Sequence, residues 1–178
     1  MKKVIRIIHF LQKQMMNKEK YAKKIGVKIG INCRIATYRW GSEPYLISIG
    51  NHVHISNNVQ FITHDGGVWI FRDEIPDFDV FGQIHIDDNT YIGNNAVILP
   101  GVSIGKNCVI GANSVVTKSI HDNSVVAGVP ARFICSTDEY KRKLLRKNTY
   151  TKNINSNQKR KHIEQLSNES FIQKEYLK

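Results

Sequence analysis

The chain has 178 residues, 41% hydrophobic and 23% charged, enough apolar material for one packed domain and too much for a disordered polymer. No apolar run approaches the roughly 20 residues of a membrane helix. Three cysteines, Cys33, Cys108 and Cys135, lack metal-type spacing and an even count, which fits a reduced, cytoplasmic protein rather than a disulfide framework. The net charge of +11 divides unevenly. Residues 1–28 carry nine Lys/Arg and one acid, residues 135–178 carry eleven and five, and residues 29–134 carry six against nine acids. The basic ends lack the aromatic-glycine interleaving of nucleic-acid modules, so nucleic acid is not an expected partner. Loose attraction to an anionic membrane surface or an acidic substrate is the functional alternative to a solvated face.

The first segment, residues 1–24, places Val4, Ile5, Ile8, Leu11 and Met15 at helical spacing with lysines opposite, which predicts a basic amphipathic helix over 3–24. Arg6 and His9 interrupt its apolar stretch and no small-residue cleavage site follows, so it does not read as a signal peptide. Such a helix either packs across an open end of the fold or rests on the inner membrane surface; packing is the expectation.

Residues 25–134 carry a repeat of six. From Ile86 the chain reads IDDNTY, IGNNAV, ILPGVS, IGKNCV, IGANSV, VTKSIH, with Ile86, Ile92, Ile98, Ile104, Ile110 and Val116 in strict register. IGNHVH, ISNNVQ and FITHDG keep the same beat from Ile49, and a degenerate pair begins at Ile29 and Ile35. A period of six is neither the 2 of a strand nor the 3.6 of a helix. It fits a short strand plus a corner, three of which close one coil of a parallel β-helix with the first-position aliphatics stacked inside. Gly or Asn supplies the backbone freedom of the corner.

The beat breaks once. Residues 65–83 form an excursion holding Val68, Trp69, Ile70, Phe71, Phe78, Val80 and Phe81. It is too apolar to lie free in water, so it is expected to pack on its own prism or on a neighbouring subunit. His64 is the last regular residue before it. A neutral imidazole at cytosolic pH is a suitable general base for activating a hydroxyl. The last segment, 135–178, reads as a helix from 136, an Asn/Lys-rich stretch, and a weak second helix over 161–177, partly mobile.

The hexads resemble those of the hexapeptide-repeat acyltransferases, over roughly 25–135. The likeness is strongest from 82 to 134, where "IGNNAVILPGVSIGKNCVIGANSVVTKSIHDNSVVAGVPARFI" is similar to the final coils of the galactoside and maltose acetyltransferase branch. "VVAGVPAR" looks like that family's exit from the helix, where strands stop at Pro130. The resemblance implies an all-β left-handed parallel β-helix, a homotrimer with sites between subunits, and acetyl-CoA as co-substrate with no metal. It implies O-acetylation of a sugar hydroxyl, with a capsule, lipopolysaccharide or other surface glycan as acceptor. His64 falls where that branch has its catalytic histidine, and the amide of Asn94 is the implied oxyanion donor. Tyr91, Gly93, Ala112, Thr117, Lys118 and Arg132 fall at cofactor-contacting positions, while a second downstream cation is replaced by Cys135. The excursion would wall the acceptor pocket with Trp69 and Arg72. Asp65 stands where the branch has proline, which implies a different acceptor and a hydrogen bond to a sugar hydroxyl. Acetylation of an amino sugar is the alternative. A zinc hydratase on the same fold would need a pair of histidines five residues apart late in the helix, which this chain lacks, and a non-catalytic β-helix leaves the aromatic excursion unexplained.

Overall fold

The computed structural model describes residues 16–176, in two units that divide between Thr137 and Asp138. In the first unit, helix α1 (Lys18–Lys24) begins at Asn17, whose side chain accepts from Glu19 N at 2.8 Å. Residues 3–15 of the helix expected from the sequence lie outside the described residues. α1 packs on the first coil: Ala22 is fully buried, Tyr21 meets Tyr38 edge-on at 5.4 Å, and Lys18 Nζ donates to the Ala36 carbonyl at 2.8 Å. An end coil that would otherwise show bare strand edge is thereby covered.

Three stacks of short strands form the prism. Sheet A holds β1 (Lys28–Ile29), β3 (Ile47–Ile49), β6 (Ile84–Ile86) and β9 (Ser103–Ile104). Sheet B holds β2 (Arg34–Ile35), β4 (His54–Ile55), β7 (Tyr91–Ile92), β10 (Val109–Ile110) and β12 (Ser124–Ala127). Sheet C holds β5 (Gln60–Phe61), β8 (Val97–Ile98) and β11 (Val115–Val116). All of these pair in parallel, with the first-position residues in register: Ile86 on Ile104, Ile92 on Ile110, Ile98 on Val116. Ile55, Ile92, Ile98 and Ile110 are fully buried, each contributing roughly 1.5–3 kcal/mol of hydrophobic burial. The small fifth-position residues Thr90, Ala96, Val102, Cys108 and Ser114 are buried too.

Most corners are made by asparagine rather than glycine. Asn32, Asn58, Asn89, Asn95, Asn107, Asn113 and Asn123, with His52, take φ between +54° and +59°, the left-handed region that Asn tolerates best among residues with a side chain. They also bond from coil to coil: His52 Nδ1 with Asn89 Oδ1 at 2.8 Å, Asn89 Nδ2 to Asn107 Oδ1 at 2.8 Å, Asn107 Nδ2 to Asn123 Oδ1 at 2.9 Å. The repeat's glycines serve closeness instead: a Cβ on Gly93 would lie 2.6 Å from the Ala112 backbone nitrogen.

The exit differs from the expectation. After the turn at 128–131 the chain does not leave the sheet; β13 (Arg132–Ser136) returns antiparallel on β12, with Val126 opposite Phe133 and Ala127 opposite Arg132. Pro130 occupies the turn itself, where no ladder donor is needed. Next in the chain, α2 (Thr137–Leu145) starts close to the expected place, but the second helix, α3, spans Ser156–Glu164. It starts early because Asn155 Oδ1 accepts from Gln158 N at 2.9 Å, a side-chain cap stronger than the weak apolar spacing downstream. Beyond it, among the described residues, Asn168–Ser170 forms a short 3-10 turn.

Candidate active site

His64 is the fourth residue of its hexad, the place where other coils turn left-handed. One coil on, Gly101 takes that position with φ +79°. His64 instead enters an antiparallel bridge with Phe81. Asp65 N donates to the Val80 carbonyl and Gly82 N to the Thr63 carbonyl, both at 2.9 Å, so the excursion is pinched shut at its base and His64 is held in the pinch. The excursion continues through a 3-10 turn, Gly66–Phe71, to which Asp65 Oδ1 gives an N-terminal cap on Gly67 N at 2.8 Å. Val68 is buried, but Trp69, Ile70 and Phe71 are 71%, 74% and 47% exposed. Packing on its own prism therefore covers little of this loop.

The imidazole has a partner that sequence reading did not find. Glu43 Oε2 lies 3.0 Å from His64 Nδ1 and accepts from Thr63 Oγ1 at 2.6 Å. The carboxylate side chain is only 16% exposed. The Thr63 hydroxyl, and after it His64, hold the Glu43 carboxyl below its ordinary range against the opposing effect of burial. An ionised carboxylate only accepts, so Nδ1 carries the proton and Nε2 the lone pair. Glu43 reaches this place because its coil is long. Ile29 and its stacked partner Ile49 are 20 residues apart, against 18 between Ile86 and Ile104, and the surplus falls between Trp40 and β3, in the stretch that holds the 3-10 turn Pro44–Leu46. Two signals were available: the lengthened coil, and the fact that Glu43 is the sole acid between residues 29 and 64.

Glu43, His64, Gly66, Trp69, Arg72, Asp79 and Phe81 line one cleft of about 370 Å³. Arg72 pairs with Asp79 at 2.9 Å, donates to the Phe78 carbonyl at 3.3 Å, and lies 5.8 Å from the centre of the Trp69 ring. Trp69 and Arg72 thus join His64 in one cavity, while Asp65 commits one carboxylate oxygen to the turn.

The other residues singled out from the sequence fall elsewhere on the prism. Tyr91 points outward on β7, edge-on to His54 at 5.2 Å. Asn94 sits at the corner between sheets B and C; its Oδ1 accepts from Asn57 N at 3.0 Å and its carbonyl from Asn113 N at 2.8 Å. Gly93 and Ala112 stack in successive coils at that same corner. Thr117 and Lys118 follow β11 at the corner between sheets C and A, where with Ser119, His121 and Phe133 they line a cleft of about 160 Å³. Arg132 is exposed at the start of β13. Sheet C therefore separates two groups within one chain: Asn94, Gly93 and Ala112 at the corner where its strands begin, and His64, Thr117 and Lys118 at the corner where they end. Among the described residues, no three His, Cys, Asp or Glu side chains are placed to hold a metal ion.

Residues 83–118 match the family model described as bacterial transferase hexapeptide, six repeats. The chain is 48% identical over 156 residues to Protein CapG of Staphylococcus aureus, covering 86% of this chain and 90% of that protein. The chain belongs to the hexapeptide-repeat acetyltransferase family. Its fold is accordingly the left-handed parallel β-helix of these acetyltransferases. A solved hexapeptide-repeat acetyltransferase from Vibrio cholerae, complexed with acetyl coenzyme A, superimposes with a TM-score of 0.52 at 32% identity over 62% of this chain and 60% of that one. The galactoside O-acetyltransferase of Escherichia coli is 41% identical over 93 residues, which span 52% of this acetyltransferase and 45% of its relative.

Proposed function

We propose that this acetyltransferase moves the acetyl group of acetyl-CoA to a hydroxyl of a saccharide, with His64 as general base. The observation that carries the reading is the Glu43–His64 pair at the mouth of the aromatic cleft. Glu43 fixes the tautomer, so Nε2 takes the acceptor proton as the hydroxyl oxygen attacks the thioester carbonyl. The carbonyl electrons move onto oxygen, and the Asn94 amide supplies the oxyanion donor. Collapse breaks the C–S bond, and the imidazolium returns its proton to the departing thiolate. Glu43 stabilises that imidazolium while it exists. The transfer is direct; no cysteine lies in the cleft to carry an acyl group.

Acetyl-CoA lies along the late coils, against Tyr91, Gly93 and Ala112, with Thr117, Lys118 and Arg132 supplying polar and cationic contacts. The missing Cβ at Gly93 and the small Ala112 let the pantetheine arm approach the backbone. Trp69 and Arg72 form the acceptor wall, with Asp65 beside them. His64 and Asn94 occupy opposite corners of sheet C, so a complete site forms between adjacent copies in a homotrimer, and the exposed Trp69, Ile70 and Phe71 are covered there. A galactoside O-acetyltransferase among the relatives supports a sugar acceptor over an amino acid. The basic ends give the assembly a loose attraction to the inner membrane surface.

Thiol release from acetyl-CoA, screened over saccharide acceptors, tests this reading. Wild type is expected to turn over with at least one sugar, and His64→Ala to lose about 10²–10⁴-fold while still binding CoA. Undiminished turnover in His64→Ala would remove the imidazole from the chemistry.

A further inference from the structure

The outer face of sheet B carries a second polar cleft, about 290 Å³, lined by Asn32, Arg34, His52, His54, Asn89 and Tyr91 among others. Arg34, His54 and Tyr91 come from β2, β4 and β7 in direct register. They form one outward column across three successive coils. No acid lines this cleft, and among the described residues Arg34 makes no ion pair. Asp88, next to Asn89 in the chain, accepts from Asn51 N at 2.7 Å and Asn51 Nδ2 at 3.2 Å through Oδ1. His52 Nδ1 is bound to Asn89, and Arg34, His54, the Tyr91 hydroxyl and the corner amide of Asn32 are groups open to a ligand.

We propose that this column is an acceptor subsite in which Arg34, with His54 and Asn32, binds the carboxylate of a uronic acid residue. The inference rests on the acetyl-transfer reading, because Tyr91, at the foot of the column, is where the thiol arm is placed. A guanidinium fork matches a carboxylate with two parallel hydrogen bonds. Burial, and then the charge of Arg34, push the His54 imidazole below its ordinary value, so it serves as a neutral hydrogen-bonding group beside one permanent cation. One cation balances a monoanionic carboxylate; a phosphate or diphosphate brings more charge than the cleft answers.

The test is binding and turnover of methyl galacturonoside, methyl galactoside and galactose 6-phosphate by wild type and Arg34→Gln, in the presence of CoA. Wild type is expected to bind the uronide at least tenfold more tightly than the galactoside. Arg34→Gln is expected to lose about tenfold for the uronide, with galactoside and CoA binding unchanged. Equal affinity for uronide and galactoside, a preference for the phosphate, equal losses on all sugars, or dissociation of the oligomer in Arg34→Gln would overturn the assignment. Acetylation of the galactoside without any uronide preference overturns the subsite and keeps the acetyl-transfer reading. Arg34-dependent uronide binding without acetylation of any sugar does the reverse.

Discussion

Replacing Glu43 by glutamine removes one charge and leaves the shape of the site in place. In the wild type, Oε2 accepts at 2.6 Å from Thr63 Oγ1 and pairs at 3.0 Å with His64 Nδ1. The second contact becomes charge-assisted on both sides only when Nε2 takes a proton, during acetyl transfer. Charged hydrogen bonds are worth about 1.5–3 kcal/mol. The 16% exposure of Glu43 places it towards the middle of that range, about 2 kcal/mol, which corresponds to about 30-fold in rate at 1.36 kcal/mol per decade. The assay is kcat by thiol release at saturating acetyl-CoA, with KM for acetyl-CoA expected to stay within about twofold, since Glu43 acts through His64. In the His64→Ala background the same substitution is expected to cost nothing further, because residues acting as one unit are not additive. Full activity of Glu43→Gln, or a loss that adds to that of His64→Ala, would refute the assigned partnership.

Glu43 also titrates lower in the folded chain than its ordinary 4.5, so its stabilising contribution is complete above that value and fades as pH falls through the lowered one. The gap in Tm between wild type and Glu43→Gln is expected to narrow as pH falls below 4.5, read by calorimetry. Ile98→Ala, in the fully buried column, is expected to cost about 2–5 kcal/mol in chemical denaturation. Asn107→Ala breaks two rungs of the corner ladder and leaves a left-handed alanine, for a loss of about 1–3 kcal/mol by the same measurement. Trp69→Ala, at an exposed loop position, is expected to leave Tm within about 2 °C while raising KM for the saccharide several-fold.

What could be read in advance follows from the range of the interactions. The six-residue beat is local and repeats, so Ile86 through Val116 announced their own burial and register. His64 was visible because it stands where the beat breaks. Glu43 was not, because its partnership spans 21 residues and depends on a coil whose length departs from the repeat. The return of β13 was hidden for a similar reason: "VVAGVPAR" contains turn residues, but an antiparallel pairing with β12 is a tertiary outcome. The corner chemistry was half legible. Asn in the fourth position carries the left-handed torsion, whereas Gly93 answers a backbone contact one coil away that no single hexad displays. The Arg34–His54–Tyr91 column needed the coil register, since these residues are 20 and 37 positions apart in the chain.

The most direct test of the account is a structure of the assembled protein with CoA and a saccharide acceptor bound. The account predicts that His64 Nε2 lies within about 3.2 Å of an acceptor hydroxyl, directly or through one water, next to the CoA sulfur, with Asn94 of an adjacent copy on the far side of the thiol. A CoA sulfur seated away from the His64 imidazole, or a site closed within a single chain, would contradict it.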